Sequence, residues 1–251
     1  MNARQHELRL TVELRQVYEA VQSIIHAVLF HRTLAKFAYQ GEKNFSLGSI
    51  GIKEVECDHI DLTYARLNSP ELSMCVDEDV RQFTHEVEEA SYSGSAPRRT
   101  PSVGSPTDSA VPLLRAQIGL DFYQKTRRPS TAFGLGMFFG SNQDDTNGMW
   151  EQWKLILDVF RVDSFDELQK MKHSVADSIG DIVLNVCEQF NQPVYTPTMP
   201  SASEVSNVFD TRFSDCQPYL FKITRQAVPN ITLRPNFTQV NFQRLKDVLQ
   251  I

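Results

Sequence analysis

The chain has 251 residues, of which 41% are hydrophobic and 22% charged, and its 25 Lys and Arg against 31 Asp and Glu leave a formal charge of −6. That apolar fraction suits a folded core and argues against a collagen-like or wholly disordered chain, while the acidic balance disfavours nonspecific nucleic-acid binding. No run of 18 apolar residues occurs, so no membrane-spanning segment is expected, and the first ten residues, with Arg4, Glu7 and Arg9, lack the apolar core of a secretory signal.

Apolar residues Leu14, Val17, Tyr18, Val21, Ile24, Ile25, Val28 and Leu29 recur at i, i+3, i+4 and i+7, predicting a helix over 12–32 with a broad face that must pack on something. Ala38-Tyr39 and Phe45-Ser46-Leu47, amid Gly41, Gly48 and Gly51, read as the arms of a hairpin. Residues 55–67 read as one strand, with Ile60, Leu62 and Tyr64 alternating and a bulge near Asp58-His59 bringing Val55 and Cys57 into phase. Ser69-Pro70-Glu71 starts a second helix, its apolar face running through Leu72, Val76, Val80, Phe83, Val87 and Ala90. The other face carries seven acids against Arg81, as a solvated surface or a contact for a basic partner.

Composition shifts to Ser, Pro, Gly and Thr over 91–112, an insert expected to be disordered. Residues 118–122 alternate as a strand, and an irregular stretch over 130–148 follows, with four glycines. Trp150 to Val162 is apolar on both faces, which predicts a central strand. Ser164-Phe165-Asp166-Glu167 is a capping box opening a helix that should bury Phe165, Leu168, Val175, Ile179, Ile182, Val186 and Phe190. Pro193, Pro197 and Pro200 mark an extended linker, before a short capped helix near Ser201 to Phe209, a strand over 219–224 and a helix over 237–249. This uneven alternation predicts an α+β fold rather than a doubly wound sheet. Setting aside the insert and the irregular stretch leaves enough chain for one domain.

The chemistry of catalysis is thin. Nucleophile-elbow, Walker, dinucleotide and His-Glu-x-x-His patterns are absent from the sequence. Cys57, Cys75, Cys187 and Cys216 stand 18, 112 and 29 residues apart, with no Cys-x-x-Cys, so reduced thiols in a cytosolic protein are expected. On that basis the sequons at Asn230 and Asn236 are chance matches. His26 and His31, five apart on a helix, cannot chelate as an i, i+4 pair would; in Cys57-Asp58-His59 only the outer two could share a strand face. Neither cofactor nor metal is implied.

Three features suggest interaction instead. Phe133, Phe138 and Phe139 crowd a glycine-rich loop, either folded back as core or exposed as an apolar finger that anchors a partner. Lys125, Arg127 and Arg128 precede it, as solvated loop or as steering charges for an acidic partner. Arg98-Arg99-Thr100-Pro101-Ser102 and Ser105-Pro106 make Thr100, Ser102 and Ser105 phosphorylation candidates.

Several blocks in order carry a family resemblance: His26-Ala-Val-Leu-Phe-His31-Arg32-Thr33, Gly48-Ser-Ile-Gly51, Cys57-Asp58-His-Ile-Asp61-Leu-Thr63-Tyr64, Asp121-Phe122-Tyr123-Gln124-Lys125, and the run from Met199-Pro200 through Val205-x-Asn207-Val208-Phe209-Asp210-Thr211 to Gln217-Pro218-Tyr219-Leu220-Phe221-Lys222-Ile223. The sequence is similar to the autophagy-related protein 101 family. The resemblance implies a single HORMA domain, a twisted, mostly antiparallel sheet with helices on one face, and a noncatalytic scaffold of the autophagy-initiation kinase complex. It implies pairing with the HORMA domain of autophagy-related protein 13, contact with the kinase and its large scaffold subunit through the complex, and cytoplasmic residence with recruitment to the preautophagosomal structure. The family's Trp-Pro-Phe finger is matched here by Arg128-Pro129-Ser-Thr-Ala-Phe133 without the Trp, so Phe133, Phe138 and Phe139 are carried over as substitutes. Trp150 and Trp153 match structural tryptophans. His31 and Arg32, at the first helix's end, are candidates for the pairing surface or simply for capping the dipole. A peptide-clamping HORMA adaptor of the checkpoint type and an uncharacterised hydrolase are the other readings; a strongly perturbed titratable group in a deep cleft would support the hydrolase.

Overall fold

A computed structural model describes residues 3–93, 112–125, 148–193 and 195–226. The insert beyond Ser93, the finger loop with Phe133, Phe138 and Phe139, the sites Thr100, Ser102 and Ser105, and the helix expected over 237–249 lie outside the described residues.

The chain opens with a strand, β1 (Arg4–Glu13), which overlaps the start of the helix expected from residue 12. Leu8, Leu10 and Val12 alternate into the core with period two. The strand stops because Glu13 caps the next turn: its carboxylate accepts from the Arg15 N–H at 2.8 Å while its own N–H donates to Gln16 Oε1 at 3.1 Å. A single 3₁₀ turn over Leu14–Gln16 then leads into α1 (Val17–His31). The short strands β2 (Thr33–Ala35), β3 (Phe37–Tyr39) and β4 (Phe45–Leu47) follow, and β3 and β4 form the expected antiparallel hairpin.

Residues 55–67 are not one bulged strand. β5 (Ile52–Glu56) and β6 (Thr63–Leu67) pair antiparallel, Glu56 against Thr63, and the chain reverses between them. The reversal is fixed from a distance. Both oxygens of the Glu19 carboxylate on α1 accept backbone N–H groups, from Asp58 and His59 at 2.8 Å each, and Ile60, 1% exposed, plugs into the core.

The helix α2 (Pro70–Ser93) starts as read, with Ser69 Oγ accepting from the Leu72 N–H at 3.3 Å and Leu72, Val76, Val80, Phe83 and Val87 buried. It runs three residues into the expected insert, ending near Tyr92, whose hydroxyl accepts from Arg161.

The strands β7 (Leu114–Tyr123) and β8 (Met149–Phe160) are antiparallel, and α3 (Phe165–Phe190) follows Ser164. Some expectations fail here: Ser164 makes no side-chain cap bond, Phe165 is 71% exposed, and Leu168 and Phe190 are only half-buried. After the prolines come a 3₁₀ turn (Ala202–Glu204) and α4 (Val205–Val208). The last expected strand is β10 (Phe221–Gln226), paired with β7, and an unexpected short strand, β9 (Cys216–Pro218), precedes it and pairs with β2.

The main sheet has the order β1-β8-β7-β10, with β1 parallel to β8 and the other pairs antiparallel, so β8 is central as its two-faced apolar pattern predicts. Register aligns Leu8 with Leu155 and Leu155 with Ile118, so one face is continuously apolar. The helices cover it, α1 packing between α3 and α2, and each fully buried Leu, Ile or Phe there contributes roughly 1.5–3 kcal/mol. The opposite face is mixed, with Phe160 buried and Ile156 half-buried beside Arg115–Asp158 and Gln152–Asp121, which are linked at 2.7 Å across strands. The fold is therefore α+β.

Candidate functional site

The arrangement leaves a recess of about 800 Å³ on the outer side of the helical layer, walled by α1, α3 and the β5–β6 hairpin. Its floor follows from residue size. Ser23 and Ala27 on α1 face Ala176 and Gly180 on α3, each pair one helical turn apart. A Cβ added at Gly180 would meet nothing within 4 Å, so that position looks onto open space. Phe30, Leu62, Tyr64, Ile179 and Val183 make the walls apolar, and Leu184, 64% exposed, stands at the rim. Asp177 and Asp181, on successive turns of α3, give that rim negative charge.

His31 and Arg32, neighbours in sequence, part company at the end of α1. His31 enters the recess, its ring stacked on Phe190 at 4.5 Å and its Nε2 3.6 Å from Cys187 Sγ. Burial, then the adjacent Arg32, lower its pKa, so the ring faces the recess neutral near pH 7. Arg32 turns inward instead: it is 7% exposed, its Nε and Nη2 bind Glu151 at 2.6 and 2.9 Å, and its guanidinium lies over Phe190 at 4.2 Å and Trp150 at 5.2 Å. Burial would raise the Glu151 pKa, but His6 and Arg32 overcome that and hold it below the ordinary carboxylate value. Arg32 is thus engaged inside the fold. It fixes Phe190, on which His31 rests.

Trp150 and Trp153 are buried, as the resemblance implies, and Trp153 stacks on His6 at 3.9 Å. Lys125 donates its backbone N–H to Asn207, tying the strand before the finger to α4. Arg127 and Arg128 lie outside the described residues.

Titratable groups among the described residues do not assemble into a catalytic set. Burial, then Glu19 and Asp58, push the Cys57 thiol up to about 12, the opposite of an activated nucleophile. His26, 3% exposed and stacked near Tyr64, is lowered to about 4 by burial and Arg66, and it lies behind the recess rather than lining it. Among the described residues no group of three or more His, Cys, Asp and Glu is placed to hold a metal ion, and no helix is long and apolar enough to cross a membrane. The arrangement suits recognition: a preformed, mostly apolar trough with an acidic edge.

A family model described as "Autophagy-related protein 101" matches residues 9–203. Curated proteins of that name from Xenopus tropicalis and Homo sapiens are each 32% identical over 251 residues, covering all of both chains. One from Arabidopsis thaliana is 24% identical over 153 residues, 61% of this chain and 51% of its own length. The family model stops at residue 203, short of the motif from Val205 to Ile223, which the full-length pairings include.

Proposed function

The chain belongs to the autophagy-related protein 101 family, and from that premise we propose that it is a noncatalytic scaffold subunit of the autophagy-initiation kinase complex. It is a single HORMA domain that pairs with, and stabilises, the HORMA domain of autophagy-related protein 13. Through that pairing it meets the initiating kinase and its large scaffold subunit. It resides in the cytoplasm and is recruited to the preautophagosomal structure.

The observation that carries the reading is the recess between α1 and α3, apolar within and acidic at one rim, in a member of a family named for autophagy. The pairing surface includes His31 and Leu184 there. A trough of this size, with aromatic and aliphatic walls and few polar groups, is the kind of surface whose burial dominates association. Phe133, Phe138 and Phe139 form the recruiting finger, taking the place of the family's Trp-Pro-Phe. Thr100, Ser102 and Ser105 are the regulatory phosphorylation sites of the insert, where phosphate would turn a basic patch acidic. Co-expression of the full chain with the autophagy-related protein 13 HORMA domain tests the reading. A 1:1 species on size-exclusion chromatography is expected; separate elution of the two folded proteins overturns it.

A further inference from the structure

We propose that Cys187 is a covalent modification site for uncharged, apolar electrophiles of the α,β-unsaturated carbonyl class, with the recess as their binding site and His31 as the base that takes the thiol proton. Cys187 Sγ stands 3.6 Å from His31 Nε2, and both side chains line the recess. A thiol reacts as its thiolate, and a base in contact with it supplies that form during attack. Burial and Arg32 keep the His31 ring neutral, so with its proton on Nδ1 the Nε2 atom accepts the Sγ–H.

The base is itself held in place. Cys187 and Phe190 lie one turn apart on α3 and meet the end of α1 together. Phe190 stacks on the His31 ring at 4.5 Å, and the Arg32 guanidinium lies over Phe190 at 4.2 Å. The other thiols lack this setting. Burial pushes those of Cys57 and Cys216 up to about 12 and about 11 and raises that of Cys75, and none of the three lines the recess.

The recess selects the electrophile. Its volume of about 800 Å³ falls within the roughly 300–1,000 Å³ of small-molecule sites. Ala176, Gly180, Val183 and Cys187 follow one another along a single face of α3, which places the thiol at the end of a trough about 16 Å long. Phe30, Leu62 and Leu184 offer apolar contact to a hydrocarbon chain. Asp177 and Asp181 at the rim repel anionic reagents such as glutathione disulfide.

In the step itself, Sγ attacks the β carbon and forms the S–C bond as the thiol proton passes to His31 Nε2. The π pair of the C=C bond shifts onto the carbonyl as an enolate, and the proton moves from Nε2 to the α carbon. No oxidant and no leaving group are involved. The adduct stays attached, so this is modification and not turnover. It fills the recess and, on the reading of the recess as pairing surface, excludes the partner. The chemistry does not rest on that reading, and its test uses the chain alone.

The full chain is exposed to the unsaturated aldehyde nonenal, reduced with borohydride and mapped by peptide-level mass spectrometry, with iodoacetamide as reference reagent and N-acetylcysteine as reference thiol. Relative to iodoacetamide, nonenal should favour Cys187 over N-acetylcysteine by about tenfold or more, the share of its chain buried in the recess. His31→Phe keeps a ring on Phe190 without the base and should slow Cys187 by about tenfold or more. Leu184→Glu leaves His31 in place and should slow nonenal while iodoacetamide reacts as before. Four results overturn the proposal: a nonenal preference no greater than that of N-acetylcysteine, a folded His31→Phe chain reacting at the parent rate, an undiminished nonenal rate in Leu184→Glu, or labelling of Cys57, Cys75 or Cys216 ahead of Cys187.

Discussion

Arg32 and Glu151, 119 residues apart, close a two-pronged ion pair at 2.6 and 2.9 Å inside the protein, joining the end of α1 to the central strand β8. The guanidinium lies against the rings of Phe190 and Trp150, and both members of the pair are buried. Removing Arg32 leaves the buried Glu151 carboxylate with only His6, at 3.8 Å, beside it. Arg32→Met should therefore cost about 3–5 kcal/mol in urea unfolding, and the double change Arg32→Met with Glu151→Leu markedly less than the sum. Glu151 also links stability to acid. Its folded pKa lies below the unfolded value, so its contribution is complete above the ordinary Glu pKa and disappears as pH falls through the lower folded value.

His26 acts over a different window. Its pKa is about 4 folded against 6.5 for the free side chain, so between those values the unfolded chain binds the extra proton. Stability should be level above about pH 6.5 and fall by about 3 kcal/mol by pH 4. His26→Leu should flatten that part of the profile, as followed by thermal unfolding across pH.

Much of this architecture is legible in the chain itself, and the exceptions share a cause. Ser69 and the stripe from Leu72 to Val87 announce α2 because cap and period are local. The two-faced pattern of β8 announces its central place. The turn between β5 and β6 does not announce itself, because Glu19 on α1 holds it. Residues 4–13 hide as a strand because Val12 and Leu14 also fit the period of the helix that follows. The recess is least visible: its floor needs Ser23 and Ala27 brought against Ala176 and Gly180, about 150 residues away. The small side chains at four-residue spacing are the signal, and only their juxtaposition gives it meaning.

Cys57 should be slow towards iodoacetamide at pH 7.5, since burial, Glu19 and Asp58 hold its thiol near 12 and leave almost no thiolate. Peptide-level mass spectrometry of alkylation over time measures this. Rapid loss of free Cys57 in the folded protein would reopen a nucleophilic role.

Replacing Phe133, Phe138 and Phe139 together by Ala should leave folding and heterodimer formation intact while abolishing recruitment of downstream autophagy factors. Circular dichroism and co-purification separate the outcomes. A triple variant that fails to fold places the three rings in the core and removes the finger.

The recess as pairing surface is put to the test by calorimetry, with the full chain and its Leu184→Glu variant each titrated against the autophagy-related protein 13 HORMA domain. Leu184 is 64% exposed, so the change should leave Tm within a few degrees while it places a charge at the mouth of the apolar recess. A 1:1 complex is expected for the parent chain and at least tenfold weaker binding for the variant, a loss of about 1.4 kcal/mol or more. Undiminished binding by a folded Leu184→Glu chain would contradict the assignment of the recess as the pairing surface.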